Sequence, residues 1–176
     1  MVNVVKFMLV ILFSFSCVIG CKTSGKVVSK EPAKEIEKNA SSESPLAYEF
    51  KLNSLKGGEV FLSSYKNKKA VVLIFWTTWC PYCRAALKSL QEDLKSLNEM
   101  GVELLAINVG ESENTVSSFV ESSRFTFQVL LDKDSNVADH YNLFGVPTYL
   151  IINKSGQIVF TGNRFEKEKL KELTAK

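Results

Sequence analysis

Residues 70–76, AVVLIFW, form an unbroken apolar run. Its length suits a strand, and with no polar alternation the strand must be covered on both faces. The segments around it supply the cover. Leu87, Leu90, Leu94 and Leu97 recur at helical spacing, and Gly101 is a natural C-terminal stop. VELLAINVG, from Val102, reads as a second buried strand. Ser112 can cap a helix whose Val116, Phe119 and Val120 share one face. FQVLLD from Phe127 is a short strand, and SNVADHYNLF from Ser135 a short helix. PTYLIIN and QIVFTG flank a Lys154-Ser155-Gly156 turn as an antiparallel hairpin. A last helix, Glu166 to Ala175, presents Leu170 and Leu173 inward. Upstream, residues 46–65 alternate around Lys56-Gly57-Gly58 and read as another hairpin. The pattern predicts an α/β fold: a mixed central β-sheet flanked by helices, with an added N-terminal β-hairpin.

The first 45 residues read differently. One early charge, Lys6, precedes an apolar stretch from Phe7 to Ile19, too short for a comfortable membrane span and suited to an export signal. Val18-Ile19-Gly20-Cys21 resembles the bacterial lipobox. That resemblance implies cleavage after residue 20 and a lipid on Cys21; an ordinary signal peptide or an uncleaved anchor are the alternatives. Residues 22–45 are rich in Lys, Glu and Ser without an apolar period, so they cannot offset their ordering entropy and read as a flexible tether. The expected organisation is therefore a lipoprotein signal peptide over 1–20, a lipidated Cys and tether over 21–45, and one domain over 46–176. The net charge of +3 is mild, and no basic tract interleaves with aromatics, which leaves nucleic-acid binding without support.

Of four cysteines, Cys17 would leave with the signal and Cys21 would carry lipid, so Cys80 and Cys83 remain in an exported domain. A zinc site needs about four ligands, and the only histidine is His140; no metal is expected. Pro81 suits the first position of a helix. Cys80 then falls at the N-cap, where unpaired N–H groups and the helix dipole favour a thiolate. Cys80 is the expected nucleophile. Cys83, one turn on, is placed to attack the mixed disulfide that Cys80 forms. A structural disulfide between them is the alternative, but so short a loop would stabilise little. His140, between Asp139 and Tyr141, reads as a surface helix residue rather than a base.

Trp79-Cys80-Pro81-Tyr82-Cys83 after a buried strand, with Gly145-Val146-Pro147-Thr148 opening a later one, resembles the thioredoxin-fold oxidoreductases. The leading hairpin, AINVGESENTVSSFV and the segment from Val129 to Gly162 resemble the TlpA/ResA-like membrane-tethered members over residues 46–176. The resemblance implies a thioredoxin-like fold, a cis Pro147, and a protein substrate docking on Trp79, Pro81, Tyr82, Val146 and Pro147. It also implies reduction of envelope-protein disulfides, as in cytochrome c maturation, with electrons from a membrane thiol reductant such as a DsbD/CcdA-type carrier. No cofactor is implied beyond a redox-active Cys80–Cys83 disulfide. Two positions depart from the pattern. Ile74 stands where thioredoxins carry a buried Asp, and Ala86 where TlpA/ResA-like proteins carry a Glu. Neither acid is available to take the Cys83 proton, so the helix terminus is expected to dominate at Cys80. Two other functions remain open. Thr77-Thr78-Trp79-Cys80 matches the Thr-x-x-Cys of peroxiredoxin-type thiol peroxidases, although the Pro of that motif falls on Leu73. A non-enzymatic lipoprotein could also use this fold to bind or chaperone a partner.

Overall fold

A computed structural model describes residues 44–174, and within the last helix it leaves some side chains aside. The signal segment, Cys21 and nearly all of the tether lie outside the described residues. Strands β1 (Lys51–Ser54), β2 (Glu59–Phe61), β3 (Ala70–Trp76), β4 (Val102–Val109), β5 (Gln128–Asp132), β6 (Thr148–Ile152) and β7 (Ile158–Gly162) form one sheet. Their order is β2-β1-β5-β4-β3-β6-β7. Helices α1 (Pro81–Glu99), α2 (Glu113–Ser123), α3 (Asn136–His140) and α4 (Lys167–Thr174) complete the fold. β3 runs parallel to β4, and β4 to β5, while β6, β7 and the leading pair β1–β2 join antiparallel. The sheet is mixed and thioredoxin-like.

All seven residues of β3 are buried, as an unbroken apolar run demands. Strand alternation sends its side chains to opposite faces. Val72, Ile74 and Trp76 pack with Leu87, Leu90 and Leu97 of α1, Val116 of α2 and Leu170 of α4. Val71, Leu73 and Phe75 pack with Leu62 and with Val137 and Ala138 of α3. Burying each α1 leucine contributes about 1.5–3 kcal/mol, which sets how firmly that helix lies on the sheet. The α1 stripe is as its spacing predicts, except that Leu94 is only half-buried. Leu173, expected to point inward from α4, lies among the side chains left undescribed.

Short-range chemistry sets the turns. Gly57 and Gly58 have φ of 88° and 77°, and the β1–β2 turn closes through Ser54 N–H to Gly58 O and Gly57 N–H to Ser54 O, both 3.0 Å. An L side chain would be strained at either position. Ser112 caps α2 by accepting the Thr115 N–H at 3.3 Å. Buried Asp132 accepts the N–H groups of Val137 and Ala138, fixing the short loop after β5 and the start of α3. Pro45, at the end of the expected tether, already belongs to the ordered edge. Its carbonyl accepts the Ile158 N–H at 2.8 Å, because β7 is an edge strand with backbone groups to satisfy.

Candidate active site

Register brings the site together. Phe75 of β3 pairs with Thr148 of β6, so the end of one strand lies beside the start of the other. Cys80 follows the first by a short loop, and Val146-Pro147 immediately precedes the second. In parallel β4, Trp76 pairs with Asn108, so Thr77-Thr78-Trp79 and Gly110-Glu111 leave the sheet at the same end. Such carboxyl ends of strands are where α/β sheets build their sites.

Cys80 caps α1 as its spacing from Pro81 predicts. Its Sγ accepts the Cys83 N–H at 3.1 Å. The Val146–Pro147 peptide is cis, and the Val146 carbonyl stands 3.7 Å from the same sulfur and accepts from it. Both cysteines are free thiols. Cys80 is 4% exposed and Cys83 fully buried, so even the outer sulfur is covered more than a motif at a helix mouth suggests. Burial pushes the Cys83 thiol up to about 12, its hydrogen bond to Cys80 and the charge there push the same way, and the Thr77 and Cys83 backbone amides pull it down.

That shift has a consequence for stability. The folded value lies above the ordinary 9.0, so the folded chain holds this proton more tightly than the unfolded chain. The contribution is complete below pH 9 and is lost as pH rises from there toward 12. The urea midpoint of the reduced protein is therefore expected to fall across that window, and Cys83→Ser to flatten the fall. Tyr149, raised to about 12 chiefly by burial and then by the Cys83 charge, adds its own loss at higher pH. An identical pH slope in Cys83→Ser would count against the burial effect.

Around the dithiol the surface is aromatic. Trp79 is 68% exposed, Tyr82 80%, and Phe144 fully exposed. Pro81 is exposed, whereas Val146 and Pro147 are half-buried. A groove of about 1250 Å³ runs from Tyr82 and Ala86 past Pro147 and Tyr149 to Phe165. All seven domain residues expected at the site therefore converge at one end of the sheet. His140 does not join them. It is exposed on α3 and stacks on Tyr48, with ring centroids 3.9 Å apart.

The two substituted positions are apolar in their surroundings as well. Ile74 is fully buried and pairs across the sheet with Tyr149. Ala86 is half-buried in the groove wall. Among the described residues no cluster of three or more His, Cys, Asp or Glu side chains forms that could hold a metal ion. One polar cluster beside the dithiol lies outside the motif. Glu111 accepts hydrogen bonds from Thr78 N–H (2.7 Å), Thr78 Oγ1 (2.6 Å) and Asn108 Nδ2 (2.6 Å), and Arg84 Nε donates to Thr78 O at 2.7 Å. The legible hint was an acidic residue just beyond the carboxyl end of a buried strand.

The AhpC/TSA family matches residues 45–161. The thiol-disulfide oxidoreductase ResA of Geobacillus kaustophilus is 38% identical over 128 residues, covering 72% of this chain and 73% of that protein. The ResA of Bacillus subtilis is also 38% identical, over 122 residues and 69% of this chain and 68% of its own. Among solved structures, StoA from Bacillus subtilis aligns with a TM-score of 0.62 at 25% identity, covering 73% of this chain and 97% of its own. A putative thiol:disulfide interchange protein DsbE from Chlorobium tepidum aligns at 0.65 with 23% identity, over 74% of this chain and 92% of that one, a likeness of fold.

Proposed function

The chain belongs to the AhpC/TSA family and stands with the ResA proteins among the thioredoxin-fold thiol-disulfide oxidoreductases, and on that premise we propose that it reduces protein disulfides outside the cytoplasm. The observation that carries this is Cys80 at the mouth of α1, its sulfur on the Cys83 amide with Cys83 buried directly behind. The Cys80 thiolate attacks one sulfur of the substrate disulfide, and the other leaves as a thiolate. Cys83 then loses its proton and attacks the Cys80 sulfur. The Cys80–Cys83 disulfide closes and the second substrate thiolate departs. The substrate gains two electrons and the dithiol loses two.

Forming the mixed disulfide itself prepares the second step. It removes the Cys80 charge and the sulfur–sulfur hydrogen bond, two of the causes that hold the Cys83 proton, and leaves burial as the main one. Trp79, Pro81 and Tyr82 and the Val146–Pro147 segment receive the substrate chain. A lipid on Cys21, a membrane thiol reductant and a role in delivering electrons to cytochrome c maturation complete the reading. Residues 1–20, with the apolar stretch of an export signal, and the Cys21 context support the location.

The thiol-peroxidase alternative finds less support. The Thr77 hydroxyl, which the Thr-x-x-Cys reading would set against the Cys80 sulfur, is buried with no hydrogen-bond partner among the described residues. The test is reduction of insulin by the whole protein with dithiothreitol, alongside peroxide consumption. Insulin reduction lost in a Cys80→Ser/Cys83→Ser variant, with no peroxide turnover, is the expected result. Peroxide turnover without insulin reduction would overturn the proposal.

A further inference from the structure

With no acid at Ile74 or Ala86, some other feature must let Cys83 act. The loop before the dithiol holds the relevant groups. The Thr77 backbone amide is directed at the Cys83 sulfur and favours its anion, the direction in which it pulls that thiol. Thr77 can hold that position only if the loop is fixed. The next residue, Thr78, is held on three sides: its N–H and hydroxyl by Glu111, its carbonyl by Arg84. Both holders are themselves anchored. Glu111 also takes Asn108 Nδ2 from buried Asn108 on β4, and the Arg84 guanidinium lies 5.8 Å from the Phe119 ring centroid. Opposite charges thus grip the two ends of Thr78 rather than pairing with each other.

We propose that Glu111 is a positioning residue for the resolving step, fixing the Thr77–Thr78 loop so that the Thr77 amide stays on the Cys83 sulfur. It touches neither sulfur nor substrate and acts through the loop. This rests on the reading of Cys83 as the resolving thiol. In the reaction the amide stabilises the Cys83 thiolate as it displaces the substrate sulfur from Cys80. Attack by Cys80 depends instead on its own N-cap contact with the Cys83 amide, which the loop does not supply.

The two steps can be read separately with dithiobis(nitrobenzoate), a small disulfide whose halves are each coloured on release. The first release reports attack by Cys80 and the second reports resolution by Cys83. In the whole reduced protein, Glu111→Ala is expected to slow the second release about tenfold near neutral pH and to move its pH profile to the alkaline side. The first release should stay within about threefold. Glu111→Gln can keep all three contacts, its carbonyl oxygen accepting both N–H groups and its amide donating to the Thr78 hydroxyl. It should therefore restore the second release to within about threefold of the parent protein. Thr78→Val loses only the hydroxyl contact and should show a smaller slowing in the same phase; it carries the test if Glu111→Ala does not fold.

Three results would overturn the proposal: an unchanged second release in Glu111→Ala or Thr78→Val, equal slowing of both releases, or Glu111→Gln as slow as Glu111→Ala. Because the probe is a small disulfide, both releases occur whether or not the protein reduces protein disulfides. Failure of insulin reduction therefore counts against the proposed function and leaves the Glu111 result standing.

Discussion

Cys80→Ser is expected to slow turnover of a protein disulfide by at least about a thousandfold, while Cys83→Ala stops the same reaction halfway. A serine hydroxyl stays protonated at neutral pH and is a poor attacker of sulfur, so nothing initiates exchange. With Cys83 gone, Cys80 still attacks, but no second sulfur lies behind it to release the substrate. The product is a covalent adduct, visible as a substrate-sized mass increase on a non-reducing gel and removed by dithiothreitol. The burial order of the two sulfurs, with the Cys80 Sγ under the Val146 carbonyl and Cys83 closed off beneath, is what assigns the roles. Adducts in Cys80→Ser and none in Cys83→Ala would reverse them. In cells, the Cys83→Ala adduct would also identify the client.

Ala86→Glu is expected to speed resolution about ten- to a hundredfold near neutral pH, the range of a positioned general base. Position 86 lies on α1, one turn beyond Cys83, in the groove wall beside Tyr82 and Leu90, so a carboxylate there is within reach of solvent and of the buried thiol. Two effects compete. The added negative charge disfavours a Cys83 thiolate in the resting dithiol, but it also accepts the proton as the thiolate forms. In the mixed disulfide Cys80 carries no charge, so the opposing charges there are fewer and proton acceptance prevails. The measurement is the second coloured release against pH. A rate no faster than the parent protein's anywhere between about pH 6 and 8 would show that proton transfer from Cys83 does not limit resolution.

Much of the fold was legible in the chain because its causes are local. The run Ala70–Trp76 demanded cover on both faces and received it. The leucine spacing of α1, the Ser112 cap and the glycine turns each act within a few residues, so periodicity and side-chain chemistry specify them before anything distant is in place. Cys80 at an N-cap ahead of Pro81 belongs to the same class, and so does the pairing of a nucleophile with a thiol one turn away.

The rest depended on contacts between residues far apart in sequence, which no local pattern encodes. The antiparallel register Phe75 to Thr148 carries the Val146 carbonyl over Cys80, and covers a nucleophile whose motif alone suggests open exposure. The same register sets Tyr149 against Ile74, so the place of the missing acid faces a buried phenol. The parallel register Trp76 to Asn108 delivers Glu111 to Thr78 across 33 positions of sequence. A shift of one residue in either pairing would turn these side chains to the opposite face. The chain's local chemistry therefore names the reacting sulfurs, whereas strand register, decided only when the whole sheet forms, chooses what surrounds them and how the buried sulfur is prepared to react.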